Sequence, residues 1–307
     1  MMQKAISLLS FLFLISVAGN SQTWKYMRQE VQFGLGASSF FGDLGGGKGE
    51  AQNDIRDIRL SATRPALNFG YKYMIFPSLS IKGVFNTALL SGNDASTKNP
   101  VRENRNLSFR SAVWGGDLMF EYYPFSEQIT RRYKIRGVGG KSAFSVSPYI
   151  SAGIGIVAFQ PKANLDGTWY KLQPLGTEGQ GLAGRPDKYK RYTYTIPLAI
   201  GAKYLIDRNW SVGFELSVRY TGSDYIDDVS TSYYIPEEIE KANGAVAAQL
   251  ADRALDPSLG WTGVQALGGG GYNYFQRGDP VWNDAYSYAI FSIHYRFRKG
   301  TKYIPKF

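Results

Sequence analysis

Residues 210–220 read Trp-Ser-Val-Gly-Phe-Glu-Leu-Ser-Val-Arg-Tyr, with a large apolar or aromatic side chain at every even position and Ser, Gly, Glu or Arg at every odd one. A period of two puts the sets on opposite faces of a strand, one toward an apolar medium and one toward a polar interior. A soluble strand can show this once; this chain repeats versions of it eight times. With a secretory leader ahead and no cysteine anywhere, the pattern predicts an all-β fold. The expected architecture is an eight-stranded antiparallel up-and-down transmembrane β-barrel with long extracellular loops, the kind that spans a bacterial outer membrane.

Residues 1–21 read as a signal peptide. Lys4 precedes an apolar stretch from Ala5 to Ala18, and Gly19 and Ser21 offer small residues for cleavage before Gln22. The run is too short for a spanning helix, which leaves residues 22–307 as one barrel domain. Without cysteine there is no lipobox and no disulfide, so stability rests on the strand ladder. The 35 Gly, 22 Tyr and 18 Phe suit a barrel wall with aromatic girdles. A net charge of +10 would suit nucleic acid, which an exported barrel does not meet. Anionic outer-membrane lipid or an acidic protein partner fits instead, and a diffuse basic surface is the plain alternative.

Eight outward rows follow from the phase: Val31, Phe33, Leu35 and Ala37; Leu67, Phe69, Tyr71 and Tyr73; Leu79, Ile81 and Phe85; Trp114, Leu118, Phe120 and Tyr122; Ile150, Ala152, Ile154 and Ile156; Ile196, Leu198, Ile200 and Tyr204; the opening example; and Phe291, Ile293, Tyr295 and Phe297. Connections alternate between tight turns (Phe76-Pro77-Ser78, Asp207-Arg208-Asn209) and long loops at 42–65, 89–110, 160–193 and 221–285. The short side is periplasmic. One periplasmic connection breaks that rule. Residues 124–146 hold Arg131, Arg132, Lys134, Arg136 and Lys141 against Glu127 alone, a basic segment suited to docking a periplasmic partner; a tolerated insertion is the plain reading. The tail 299–307 is a second basic periplasmic element.

The inward set comprises Lys72, Lys82, Asp117, Glu121, Lys203, Glu215, Arg219 and Arg296. Eight strands leave an interior that side chains fill, so these charges predict a satisfied ion-pair network rather than a channel. The single histidine, His294, also faces inward beside Ser292. A Ser-His-acid hydrolase needs such neighbours plus an orienting carboxylate, for which Glu215 is available. An inward histidine cannot reach lipid, so a packed lumen residue and no enzymatic activity are expected.

Among the loops, Gly42–Gly49 is rich in glycine, but no helix follows it, so it does not make a phosphate loop. Asp224, Asp227 and Asp228 offer oxygen ligands of the type Ca²⁺ favours, though not at EF-hand spacing, and Asp and Ser at such positions more often cap turns. No cofactor is expected. Pro236 opens a helix with Glu237 and Glu238 in its first turn. Ile239, Ala242, Val246, Leu250 and Ala254 keep its period to Asp256-Pro257.

Four runs carry a resemblance: Phe33–Leu44 (FGLGASSFFGDL), Ser147–Phe159 (SPYISAGIGIVAF), Gly167–Gly181 (GTWYKLQPLGTEGQG) and Asp224–Tyr234 (DYIDDVSTSYY), followed by AAQLADRA at 247–254. With these the mature chain resembles the PorG-type (DUF6089-like) outer-membrane barrels of the Bacteroidetes type IX secretion and gliding machinery. That resemblance implies a non-enzymatic barrel that anchors or positions a periplasmic ring at the outer membrane. Its implied partners are the ring lipoprotein and its companion, of the PorK/PorN or GldK/GldN type. The alternative is a generic small barrel that binds extracellular ligands or stabilises the envelope.

Overall fold

The structure is a computed structural model that describes residues 27–45, 62–125, 127, 146–207, 209–267 and 271–298. Eight long strands form the barrel: β1 (Gln29–Phe41), β2 (Arg64–Phe76), β3 (Leu79–Asn93), β4 (Ser108–Tyr122), β5 (Val146–Leu165), β6 (Tyr192–Leu205), β7 (Trp210–Thr221) and β8 (Ala285–Phe297). Each pairs antiparallel with its chain neighbours, and β8 returns to β1 from Gln29↔Phe297 to Phe41↔Ala285. The ladder is therefore closed and leaves no free edge, which is what a strand protein needs where water cannot satisfy the backbone.

The alternation sets the two faces. Phe33, Leu35, Phe69, Phe85, Leu118, Phe120, Ile154, Ile156, Ile200 and Phe291 are all exposed on the outer wall. The residues of the opposite phase (Glu30, Lys72, Lys82, Glu121, Lys203, Glu215, Arg219, His294 and Arg296) are buried inside. A one-residue slip would exchange every pair, so the register is tightly specified. The β2–β3 turn is as short as expected, with Phe76 paired to Leu79. No helix among the described residues is long and apolar enough to cross a membrane.

Two expectations need correction. The strands outlast the predicted loop boundaries: β3 runs to Asn93, β4 starts at Ser108 and β5 reaches Leu165 before a short partner strand at Thr168–Lys171. In this upper half the interior is not polar. Phe40, Ala88, Leu90, Phe109, Val113, Val157, Phe159, Tyr286, Tyr288 and Ile290 face inward and form one cluster with Leu44, Ile226 and Val229 from the loops. Phe40 and Phe109 meet edge to face at 4.9 Å. Loops cover this end, so inward side chains there build an ordinary apolar core.

The predicted helix is two helices after α1 (Pro100–Arg105): α2 (Pro236–Asn243) and α3 (Ala245–Ala251). Gly244 separates them at φ 90°, a conformation only glycine takes without strain. Ile239, Ala247 and Ala251 pack on Leu175, Leu182 and Tyr234, so the helices cap the external mouth against the 168–182 segment.

The exposed rows make the wall testable. Leu118→Arg, on the apolar outer face, should lower the unfolding free energy in bilayers by about 2–4 kcal/mol. Tyr122→Arg, at the strand end, should cost about 0–1 kcal/mol. Denaturant titration of vesicle-folded protein measures both.

Candidate functional site

The periplasmic half of the interior is an ionic plug. Glu30 on β1 accepts from Lys203 on β6 (2.6 and 2.7 Å) and Arg296 on β8 (2.8 Å), and Lys72 on β2 lies 3.4 Å away. One layer higher, Lys82 bridges Glu121 (2.8 Å) and Glu215 (2.7 Å). Arg219 clamps Asp117 at 2.9 and 3.0 Å, and Asn86 donates to the same carboxylate. Tyr149 and Tyr123 complete the layer by donating to Glu215 (2.9 Å) and Glu121 (3.0 Å).

Glu127 is the member that phase analysis of the strands left out. It belongs to the connection after β4, where the sequence places it as the lone acid among basic neighbours. Its backbone N–H instead donates to Pro77 O (2.7 Å), as that of Tyr123 does to Ser78 O (2.8 Å). The carboxylate thereby turns into the barrel mouth and takes Lys72 (3.2 Å), Lys203 (2.5 Å) and Arg296. Among fully buried charges, the strands alone supply Glu30, Asp117, Glu121 and Glu215 against Lys72, Lys82, Lys203, Arg219 and Arg296. Glu127 closes that deficit of one negative charge. Arg131, Arg132, Lys134, Arg136 and Lys141, the candidate docking residues, lie outside the described residues, as do the leader 1–21 and the tail 299–307.

The histidine sits in the same layer. Its Nε2 is 2.8 Å from Ser292 Oγ and its Nδ1 is 2.9 Å from Glu30 Oε1. These are the atoms of a nucleophile, base and orienting acid, with Glu30 rather than Glu215 as the acid. Glu30 is committed to Lys203 and Arg296 as well, and all three residues are buried. A Cβ placed on Gly213 would lie 2.8 Å from Nε2 and 3.0 Å from Oγ, so any side chain at that β7 position would press on both atoms.

At the external mouth the two most distinctive runs of the sequence dock on each other. Glu178 accepts from Ser230 N (2.9 Å), Thr231 Oγ1 (2.7 Å) and Arg277 (3.2 Å). Asp228 accepts from Thr177 Oγ1 and Tyr189 OH, both at 2.5 Å. Tyr189 stacks between Phe159 and Tyr225, with centroids at 6.3 and 4.6 Å. Asp227 is spent on the backbone N–H groups of Leu44 and Val229, both at 3.0 Å. Asp227 and Asp228 thus face different partners. No set of three or more His, Cys, Asp or Glu side chains among the described residues is arranged to hold a metal ion. Asp284 and Asp43 join this acidic knot and were not legible as members in the sequence. Asp284 accepts from Ile226 N (2.8 Å) and Asp43 from Asp279 N (2.9 Å).

Burial pushes Asp43 and Asp228 up to about 6 and Asp224 to about 8, and takes Asp227 and Asp284 well above the carboxylate range. Backbone donors to Asp43, Asp227 and Asp284, and Arg277 beside Asp228, oppose the rise without cancelling it.

Comparison with known proteins adds the following. A family model described as a domain of unknown function, DUF6089, matches residues 6–239. No curated protein matches. Among solved structures, Neisserial surface protein A shares 9% identity at a TM-score of 0.39, over 88% of this chain and 97% of that one. The outer membrane protein OprG from Pseudomonas aeruginosa shares 8% at 0.35, over 89% and 98%. A major outer membrane protein from Thermus thermophilus shares 12% at 0.35, over 88% and 99%. At these values the architecture rests on the strand pairing described above.

Two outcomes test the site. Glu127→Gln leaves the lumen cations one charge short of neutral, and should cost about 3–5 kcal/mol of unfolding free energy, read by denaturant titration with circular dichroism. The raised aspartates give a pH signature. A carboxyl whose pKa is higher folded than unfolded favours the folded knot below its unfolded value, and that contribution disappears as pH rises through its folded value. Protease resistance of the external loops should therefore be greatest near pH 4 and fall between pH 4 and 8. Asp284→Asn should flatten the profile.

Proposed function

We propose, for a chain that belongs to the DUF6089 family, a non-enzymatic role as an outer-membrane barrel that anchors or positions the periplasmic ring of a type IX secretion machine. The observation that carries this reading is the closed, charge-neutral plug. With Glu30, Asp117, Glu121, Glu127 and Glu215 each matched to a cation inside the ladder, the barrel offers no conduit. A chain of this kind works through its faces. The apolar outer rows support insertion in an outer membrane. The basic connection 124–146 supports docking on the periplasmic side, to an acidic surface of a ring lipoprotein or its companion. The PorG-type resemblance of the Gly167–Gly181 and Asp224–Tyr234 runs supports that choice of partner.

Enclosure of the Ser292–His294–Glu30 chain favours a structural over a hydrolytic role for these residues. One observation favours the second reading, a generic barrel acting through its loops. The Glu178–Arg277–Asp228 junction holds the external cap in one arrangement, as a surface for an extracellular ligand would require.

The two readings separate in one experiment. Arg131, Arg132, Lys134 and Arg136 changed together to Gln should leave a heat-modifiable, folded barrel and reduce copurification of the ring lipoprotein severalfold from native membranes in mild detergent. Undiminished copurification in moderate salt would refute the docking assignment. Absence of any ring component from the wild-type preparation would favour the generic barrel.

A further inference from the structure

Cations line up across three neighbouring strands at the outer rim of the barrel. Arg110 on β4 stands directly opposite Lys162 on β5, and Lys162 stands directly opposite Lys171 on the short strand Thr168–Lys171. Residues directly opposite in a ladder share a face, and like charges there repel. None of the three has a carboxylate partner among the described residues. Instead the Arg110 guanidinium lies over the indole of Trp169, 4.7 Å from the ring centroid, which fixes it above the sheet surface.

The face is the outer one. Arg110 is in phase with Trp114, Leu118 and Phe120 on β4, and Lys162 with Ile150, Ile154 and Ile156 on β5, residues that form the exposed apolar wall. The height follows from strand geometry. The twelve residues from Tyr122 to Arg110, at ~3.3 Å each and a tilt of roughly 35–45°, rise about 30 Å. An apolar band is ~25 Å tall, so the row sits just above its outer border. Tyr192 and Tyr194, exposed on neighbouring β6 and paired with Ala158 and Ile156 just below the row, mark the outer border of the apolar band as an aromatic girdle would. A cationic row facing away from the barrel, at the plane where headgroups lie, lacks a counter-charge among the described residues and meets one in the lipid.

We propose that Arg110, Lys162 and Lys171, with Trp169 as platform, bind the phosphate of an outer-leaflet lipid headgroup. Guanidinium and ammonium groups supply the charge-assisted hydrogen bonds a phosphate monoester accepts. The lipid's acyl chains lie along the adjoining apolar rows. The site is independent of any periplasmic partner, so it holds whether or not the barrel serves a secretion ring.

The test uses the full mature chain folded in zwitterionic micelles, with diphosphorylated lipid A as probe and native mass spectrometry as readout. The wild type should retain one lipid, and its dephosphorylated counterpart should bind far more weakly. The R110Q/K162Q/K171Q variant should lose affinity on the order of 100-fold, from about 1 kcal/mol per cation near an anionic surface. K171Q alone, which lies outside the barrel ladder and leaves folding intact, should lose about fivefold by the same measure. K241Q, on the external helix α2, removes an equal charge and should change nothing. Equal affinity in wild type, triple variant and K171Q would overturn the proposal. So would equal binding of the dephosphorylated lipid, or full displacement by excess inorganic phosphate, which would make the row a site for soluble anions.

Discussion

Charge neutrality inside a closed ladder is the constraint on which the rest of this structure depends. Eight strands leave no room for a water column, so an inward ion must find an opposite ion within hydrogen-bond reach or bear several kcal/mol of desolvation. The strands bury five cations and four carboxylates inside the barrel. The fifth carboxylate comes from outside the ladder, when the chain after β4 turns back and inserts Glu127 among Lys72, Lys203 and Arg296. The connection after β4 therefore begins pinned to the barrel mouth at Glu127.

The same interior changes character along its axis. Below, ion pairs and the tyrosines bonded to them hold the interior together. Above, where strands run past the membrane level, Phe40, Phe109, Val157 and Phe159 meet loop residues Leu44, Ile226 and Val229 in an apolar core. On that core rests a knot in which buried aspartates outnumber the guanidinium groups within reach: Arg277 serves Glu178 and Asp228, while Asp227 and Asp284 have only backbone donors. The mouth is closed by packing and by carboxyls whose protons burial retains, whereas the periplasmic end is closed by charge. The barrel is thus sealed by two different mechanisms at its two ends.

Much of the architecture was legible in residues 210–220 and their seven counterparts. Each outward row named from the phase lies on the wall, and His294, Lys82 and Arg219 lie inside. The candidate site was legible only in pieces. Thr177-Glu178 and Asp228 through Thr231 stood out as distinctive runs, but nothing in either shows that one accepts hydrogen bonds from the other across 52 residues. The place of Glu127 in the plug was not legible for a related reason. It is the lone acid of a basic stretch of sequence, and its backbone bond to Pro77 aims it into the barrel mouth. The helix after Pro236 kept its period through Gly244, and the break there follows from packing against Leu175 and Leu182.

The sequence by itself determined which side of each strand meets hydrocarbon, because that choice depends only on alternation between adjacent residues. It determined as well that the inward charges must pair. Which ion pairs with which, that Glu127 completes the set, that the upper interior is apolar, and that Arg110, Lys162 and Lys171 stand in one row were decided by the tertiary structure. Those facts depend on the register between strands far apart in the chain. Closure of the ladder sets all eight registers together, and no local pattern contains that information.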